Sequence, residues 1–302
     1  MTDAFSCCTL CPRNCKVDRH ERAGYCGERD VLRVSRAALH FWEEPCISGI
    51  RGSGTVFFVG CALRCSYCQN YDISRSHGGG EISVARLCEI FFELKEKGAH
   101  NINLVTPSHF TPLIIEAVDA AKSRGFDLPF VWNSSGYESV ETIGMLEGYI
   151  DIFLPDFKYF SPDTAAAYSA ARDYPSVAKA ALDKMVMIAG EPRFDGDGMM
   201  TRGVIVRHLV LPSHAAESIE ILKYLNMTYG NGIFVSIMNQ YTPMKSETHP
   251  ELKRKLTTYE YRKVLAAAGE IGISNGFVQD GETQKESFIP PFDMTGVYSP
   301  CR

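Results

Sequence analysis

The sequence predicts an α/β fold, an open partial (β/α)6 barrel of the TIM type that follows a cysteine-rich amino-terminal extension. Three observations predict it: apolar strands alternate with amphipathic helices from Thr55 onward, six such units fit in the chain, and nine of the 11 cysteines precede residue 69. Strands that are apolar throughout are buried on both faces, as in a parallel sheet covered by helices. Six units are fewer than the eight of a closed barrel, and a doubly wound sheet is the alternative architecture.

The elements follow from hydrophobic periodicity and from turn residues. Six strands are predicted over the short β-branched or aromatic runs 55–60, 101–106, 130–133, 150–154, 203–211 and 232–237. Helices are predicted over 112–123, 140–146, 162–188 with a break near 173–175, 217–225 and 257–268. Ser83 is placed to cap one more helix, in which Leu87, Ile90, Phe91 and Leu94 share one face, and Gly98 ends it.

The composition predicts three regions and excludes several classes of protein. Residues 1–50 form the cysteine-rich extension, 51–280 the barrel and 281–302 a tail. The net charge of −5, with 45% hydrophobic and 22% charged residues, excludes collagen, a disordered chain and a polybasic nucleic-acid tail. Because no basic leader and no apolar run of about 20 residues occurs, we expect a cytoplasmic protein without a membrane span.

The cysteines point to metal rather than to disulfides. Their number is odd, and clustered thiols in a chain without an export signal indicate metal ligands in a reducing compartment. Cys61, Cys65 and Cys68 have the spacing C-x3-C-x2-C on a loop that leaves the first predicted strand. Thiolates suit zinc, copper(I) or iron–sulfur clusters, and a structural zinc site normally has four protein ligands. Three cysteines on a [4Fe–4S] cube would leave one iron open, whereas a zinc site completed by a distant residue, or inert buried cysteines, are the alternatives.

The stretch GCALRCSYCQN resembles the signature of the radical S-adenosylmethionine superfamily. The longer run EEPCISGIRGSGTVFFVGCALRCSYCQNYDISR is similar to the pyruvate formate-lyase activating enzyme-like branch, as are NINLVTPSHF, DIFLPDFKY, RHLVLPSH and SIMNQYTP. The resemblance covers nearly the whole chain. It implies that Cys61, Cys65 and Cys68 are the catalytic cluster ligands, and that the open iron binds S-adenosylmethionine.

The same resemblance implies a reaction and partners. One electron, from a donor such as flavodoxin or ferredoxin, would cleave the cofactor to methionine and a 5′-deoxyadenosyl radical, which abstracts a hydrogen atom. The favoured substrate is a glycine of a glycyl-radical enzyme. Modification of another peptide or of a small metabolite is the alternative, and a non-catalytic zinc-binding protein is the alternative outside enzymes.

Further cofactor-binding candidates are implied at the ends of the strands. The family's Gly-Gly-Glu after the second strand is missing, since His77–Glu81 (HGGGE) precedes the first helix and is predicted to be a flexible turn. Hydroxyls at the second strand's end would replace it. The candidates are Tyr67, Asn70, Thr106, Ser108, Asn133, Ser135, Asp156, Lys158, Arg207, Asn239 and Tyr241.

The extension carries a second group of thiols. Cys8, Cys11, Cys15 and Cys26 are predicted to hold zinc or an auxiliary cluster, with free thiols as the alternative. Cys88 is predicted to belong to the core of its helix, and Cys301 has no assigned role.

Overall fold

The computed structural model describes residues 3–244, 247–279 and 289–299. Its strands form one ten-stranded sheet in which neighbours follow the order β10-β9-β8-β6-β5-β4-β2-β1-β3, with β7 paired to β8 alone. The strands are β1 Leu32–His40, β2 Ser53–Phe58, β3 Gly80–Ile82, β4 Ile102–Val105, β5 Phe130–Ser134, β6 Ile152–Pro155, β7 Arg193–Phe194, β8 Met200–Leu209, β9 Phe234–Met238 and β10 Gly276–Val278.

The six predicted strands correspond to β2, β4, β5, β6, β8 and β9. They lie side by side in chain order, and every neighbouring pair is parallel. Both faces are buried, because one face packs under the helices and the other lines the inside of the sheet. The α/β class and the partial barrel are therefore confirmed, and all six carboxyl ends of the strands open on the same side.

The helices are α1 Pro45–Ser48, α2 Tyr71–Ser74, α3 Val84–Glu96, α4 Thr111–Ser123, α5 Val140–Gly144, α6 Pro162–Ser169, α7 Tyr174–Ala189, α8 Ala215–Tyr229 and α9 Thr258–Ile271. The predicted helices are present with shifts of a few residues at their ends, and two short helices, α1 and α2, were not predicted. The Ser83 side chain accepts a hydrogen bond from the Arg86 amide and caps α3. The predicted break in 162–188 lies between α6 and α7, where Ala170 adopts a left-handed conformation.

The first 50 residues contain regular structure that their sequence pattern did not predict. Strand β1 pairs antiparallel with β2, and a bulge between Val34 and Arg36 shifts its register. The bulge leaves Val34 and Ser35 both buried, so the alternation that would reveal a strand is interrupted. The extension therefore contributes a strand to the barrel sheet.

Two further segments differ from the prediction. The last two residues of HGGGE belong to strand β3, Gly80–Ile82, which pairs antiparallel with β1, so only the first residues of HGGGE form a turn. In the tail, the Met294 amide donates to Ser35 O and Thr295 O accepts from the Ala37 amide, so the described tail covers the middle of the β1 edge. Cys301 and all of 281–288 lie outside the described residues.

Helix α1 closes the bottom of the barrel. Its Cys46 and Ile47 pack inside the sheet against Val131, Ile152 and Ile205 from three of the parallel strands. The short segment between β1 and α1 consequently passes through the barrel interior. Among the described helices, none has the length and apolar character needed to cross a membrane.

Candidate active site

An open cavity lies at the carboxyl ends of the parallel strands, with an empty volume of about 1130 Å³. The cavity wall includes eleven of the fourteen predicted site residues of the barrel: Cys61, Cys65, Tyr67, Cys68, Asn70, Thr106, Asn133, Ser135, Asp156, Lys158 and Arg207.

The three-cysteine loop begins directly after β2. Gly60 allows the sharp exit, because its φ of +87° is unfavourable for any residue with a Cβ, and such an atom would lie 2.4 Å from Cγ of Glu28. Cys61 and Cys65 are buried and Cys68 is partly exposed. Burial raises the pKa of the Cys68 thiol to about 12, and the neighbouring Cys65 and Cys61 contribute to the shift. The three thiols therefore lie near one another.

A cluster of three charged residues, Asp156, Lys158 and Arg207, lines the same cavity as this loop. Asp156 Oδ2 lies 2.7 Å from Lys158 Nζ, and its Oδ1 lies 3.1 Å from Arg207 Nε. Burial favours neutral Asp156, but the two cations hold the pKa of its carboxyl below the ordinary value. Burial likewise disfavours charged Lys158, yet Asp156 and then Cys65 raise the pKa of the ammonium. Lys158 thus keeps its positive charge beside the thiols.

The floor of the cavity contains a carboxylate that the sequence reasoning did not assign. Glu43 Oε2 lies 3.0 Å from Arg207 Nη1, and Glu43 Oε1 accepts from Asn103 Nδ2 at 2.9 Å and from Asn133 Nδ2 at 3.3 Å. Arg207 Nη2 also donates to Asn133 Oδ1. The signal available in the sequence was the pair Glu43-Glu44 inside an apolar run, since buried carboxylates need partners.

Glu44 is the second acidic residue of this segment. Its side chain is buried, and its Oε2 has no hydrogen-bond partner among the described residues. Burial raises the pKa of its carboxyl, and Arg207 opposes that shift. The extension therefore delivers two carboxyl groups to the inside of the barrel.

Three predicted residues lie outside the cavity. Ser108 is buried and donates to Glu138 Oε1 at 2.5 Å, while Asn239 contacts Gln279 through its amide and side chain. Tyr241 donates to Leu252 O behind the ring of Tyr67. After β9 the extended chain keeps alternating, so Gln240 and not its two neighbours faces the cavity.

Three further predicted residues of the cavity wall are Thr106, Asn70 and Tyr67. Thr106 has a φ of +57°, which is rare for a β-branched residue and typical of functional sites. Asn70 begins α2, yet its side chain makes no capping hydrogen bond. Tyr67 is buried between the rings of Tyr159 and Tyr168. All three side chains border the cavity.

The four thiols of the extension form a separate group close to this loop. A Cβ on Gly24 would lie 3.4 Å from Cys26 Sγ and 3.5 Å from Cys15 Sγ, and Cys11 interacts electrostatically with Cys26 and Cys8. The Cys26 carbonyl accepts a hydrogen bond from the Cys61 amide. The extension therefore contacts the three-cysteine loop directly.

The donor set of the loop fits an iron–sulfur cluster. In the part of the chain that the structure describes, no three Cys, His, Asp or Glu side chains are grouped so that they could hold a single metal ion. Cluster cysteines each bind a different iron and so lie farther apart than ligands of one ion. Three thiols that lie near one another on one cavity wall, without the spacing for a single ion, are consistent with such a cluster.

The comparisons with known proteins address the barrel. Residues 55–192 match the model of the Radical SAM superfamily. An uncharacterised protein of Methanocaldococcus jannaschii is 29% identical over 278 residues, which are 89% of this chain and 76% of that protein. The first match relates residues 55–192 to the superfamily, whereas the activating-enzyme branch stays a prediction.

Solved structures are similar at the level of the fold. A radical SAM methyltransferase from Sphaerobacter thermophilus has a TM-score of 0.50 and 15% identity, over 75% of this chain and 66% of that one. SuiB of Streptococcus suis has a TM-score of 0.49 and 12% identity over 76% of this chain. The chain spans 49% of the length of SuiB. The range that matches the Radical SAM superfamily model, residues 55–192, contains the three-cysteine loop and four of the six parallel strands, so this part of the chain is that of a radical SAM enzyme.

Proposed function

We propose that Cys61, Cys65 and Cys68 hold a [4Fe–4S] cluster and that the adjoining cavity binds S-adenosylmethionine and a peptide substrate. When bound and given one electron by an external donor, the cluster and S-adenosylmethionine would supply methionine and a 5′-deoxyadenosyl radical, and that radical would remove a hydrogen atom from the substrate. The observation that carries the proposal is the meeting of three thiols, Asp156, Lys158 and Arg207 on one cavity wall.

Lys158 and Arg207 have different roles in binding the cofactor. Lys158 has two N–H groups beyond its bond to Asp156, and they are available for the cofactor's carboxylate. Arg207 is held from three sides by Asp156, Glu43 and Asn133, so its role is to position those groups and its remaining donors. Tyr67 offers a buried ring at the cavity edge for an adenine.

A groove along the end of β1 supports a peptide as the substrate. It is lined by Arg36, Ala38–Trp42 and Ile289–Pro291, and it shares His40, Trp42 and Phe57 with the cavity wall. In the described residues, β3 and the tail pair with β1 only up to Ala37. The continuing edge can pair with an extended peptide, which would then lie beside the residues that the groove shares with the cavity wall. A glycine loop of a partner protein and a short precursor peptide share this chemistry.

Transfer of deuterium tests the substrate class. The reconstituted enzyme is given S-adenosylmethionine, a reductant and pools of deuterated peptides or deuterated small metabolites. We expect deuterium in 5′-deoxyadenosine from peptides, with glycine α-deuterons distinguishing an activase. Deuterium arriving only from the metabolite pool would contradict a peptide substrate and leave the radical chemistry intact.

A second metal in the extension is part of the proposal. Cys8, Cys11, Cys15 and Cys26 lie near one another, and we propose that they bind zinc or an auxiliary iron–sulfur cluster, which would draw the thiols together as its ligands. Metal analysis of Cys11→Ala against the unchanged protein measures it. The expected result is the loss of one metal component with the iron of the radical cluster retained, whereas identical metal contents would show that these thiols are free.

A further inference from the structure

Arg13, in the extension, binds four backbone carbonyls of two other segments. Its Nε donates to Ala62 O at 2.9 Å and its Nη2 to Leu63 O at 3.4 Å, both in the three-cysteine loop. Its Nη2 also donates to Ser169 O at 2.8 Å and its Nη1 to Ala170 O at 2.5 Å. The guanidinium therefore joins the loop to the carboxyl end of α6, where a cation is electrostatically favoured.

The opposite side of the same two peptide units faces a cluster ligand. The Leu63 amide donates to Cys61 Sγ at 3.4 Å, and the Arg64 amide lies near enough to this sulfur to oppose the rise in the pKa of the Cys61 thiol that burial causes. In a trans peptide the C=O and the following N–H point in opposite directions, and none of the described peptide bonds is cis. Fixing the carbonyls of Ala62 and Leu63 on Arg13 thus turns both N–H groups toward Cys61.

Such donors change the reduction of an iron–sulfur cluster. Reduction adds negative charge to the cluster and its sulfur ligands, so N–H groups on a sulfur stabilise the reduced form more than the oxidised form. We propose that Arg13 is a positioning residue that holds the Ala62 and Leu63 carbonyls so that two backbone amides donate to Cys61, which raises the reduction potential of the cluster. The inference depends on the proposal that Cys61 ligates the cluster, and it does not depend on the substrate.

The contacts of Arg13 require a guanidinium group. Its guanidinium lies over the ring of Tyr25 at 4.3 Å and over that of Tyr137 at 5.1 Å. A planar fork with five N–H groups can serve carbonyls on two sides at once, whereas a lysine ammonium is a compact charge that cannot span them. Lysine at position 13 would therefore keep the positive charge but could not hold the carbonyls of both segments.

The test compares Arg13→Lys and Arg13→Ala with the unchanged protein, and Arg22→Ala is the control at an exposed arginine of the same extension. Two quantities are measured on the iron-loaded enzymes. The midpoint potential comes from a redox titration followed by electron paramagnetic resonance, and amide exchange of the segment 61–68 comes from mass spectrometry.

We expect a lower midpoint potential and faster exchange at Leu63 and Arg64 in both Arg13 variants, with the control unchanged. A normal potential in Arg13→Lys would overturn the inference, because the charge alone would then suffice. If a variant loads too little iron, amide exchange of the segment 61–68 is compared in the metal-free proteins instead. Exchange in the variant that is as slow as in the unchanged protein would also overturn the inference. A lack of iron in the unchanged protein would instead refute the cluster proposal itself.

Discussion

Asp156 is the residue on which the electrostatics of the cavity depend. It contacts both cations of the wall, and its side chain is only 17% exposed. Two buried cations with a single bridging carboxylate are strongly coupled, because removal of one partner leaves an uncompensated charge. The pattern Asp156-x-Lys158 was visible in the sequence, since residues two apart on a strand share a face.

Replacement of Asp156 is expected to destabilise the fold. Asp156→Asn should lower the free energy of unfolding by about 3 to 5 kcal/mol, as is usual when a buried ion pair loses one partner. Urea denaturation measures this effect. Glu220→Gln is the control, because Glu220 pairs with Lys223 where both side chains are about half exposed, and it should cost less than about 1 kcal/mol. Equal effects of the two substitutions would contradict the network.

Glu138 is a buried carboxyl whose effect depends on pH. It accepts hydrogen bonds from Ser108 and Ser134, and Asp156 is the nearby charge. Burial raises the pKa of this carboxyl from 4.5 to about 7. Between these two values the folded protein binds more protons than the unfolded chain, so this group makes stability fall as the pH rises.

The substitution Glu138→Gln should remove that dependence. The free energy of unfolding of the variant, relative to the unchanged protein, is expected to increase from pH 5 to pH 8 by on the order of 3 kcal/mol. Denaturation at several pH values measures the difference. A difference that stays constant over this range would show that Glu138 has an ordinary pKa.

At the level of elements, the loop after β2 depends on its contact with the extension. Gly60 combines a left-handed φ with close approach, since an added Cβ would also lie 2.9 Å from the Cys26 carbonyl. The six parallel strands were predictable because their apolar runs are continuous. Strand β1 was not, because its bulge breaks the alternation and its partners are distant in sequence.

Gly60→Ala tests this contact with a closely matched control. Gly272, which ends α9, has the same φ of +87° but no atom within 4 Å of an added Cβ. Gly272→Ala should cost about 1 to 2 kcal/mol for the left-handed conformation alone. Gly60→Ala should cost clearly more and should reduce the iron content. Similar stability and iron content in the two variants would exclude a supporting role of the extension.

At the scale of the whole molecule, the extension and the barrel form the site together. The carbonyls and amides of the three-cysteine loop contact residues 13 and 26, while Glu43 reaches the cavity floor from the segment before α1. The sequence located the strand ends and thus most of the cavity wall. It could not place Glu43, because its partners Asn103, Asn133 and Arg207 come from three separate strands.

The radical chemistry of Cys61, Cys65 and Cys68 is the central claim. The most direct measurement is the formation of 5′-deoxyadenosine and methionine from S-adenosylmethionine by the anaerobically reconstituted, reduced protein. The account predicts both products in equal amounts, their loss in Cys65→Ala and their retention in Cys7→Ala, whose thiol is exposed. An iron-loaded protein that forms neither product, or a Cys65→Ala variant that still forms both, would contradict it.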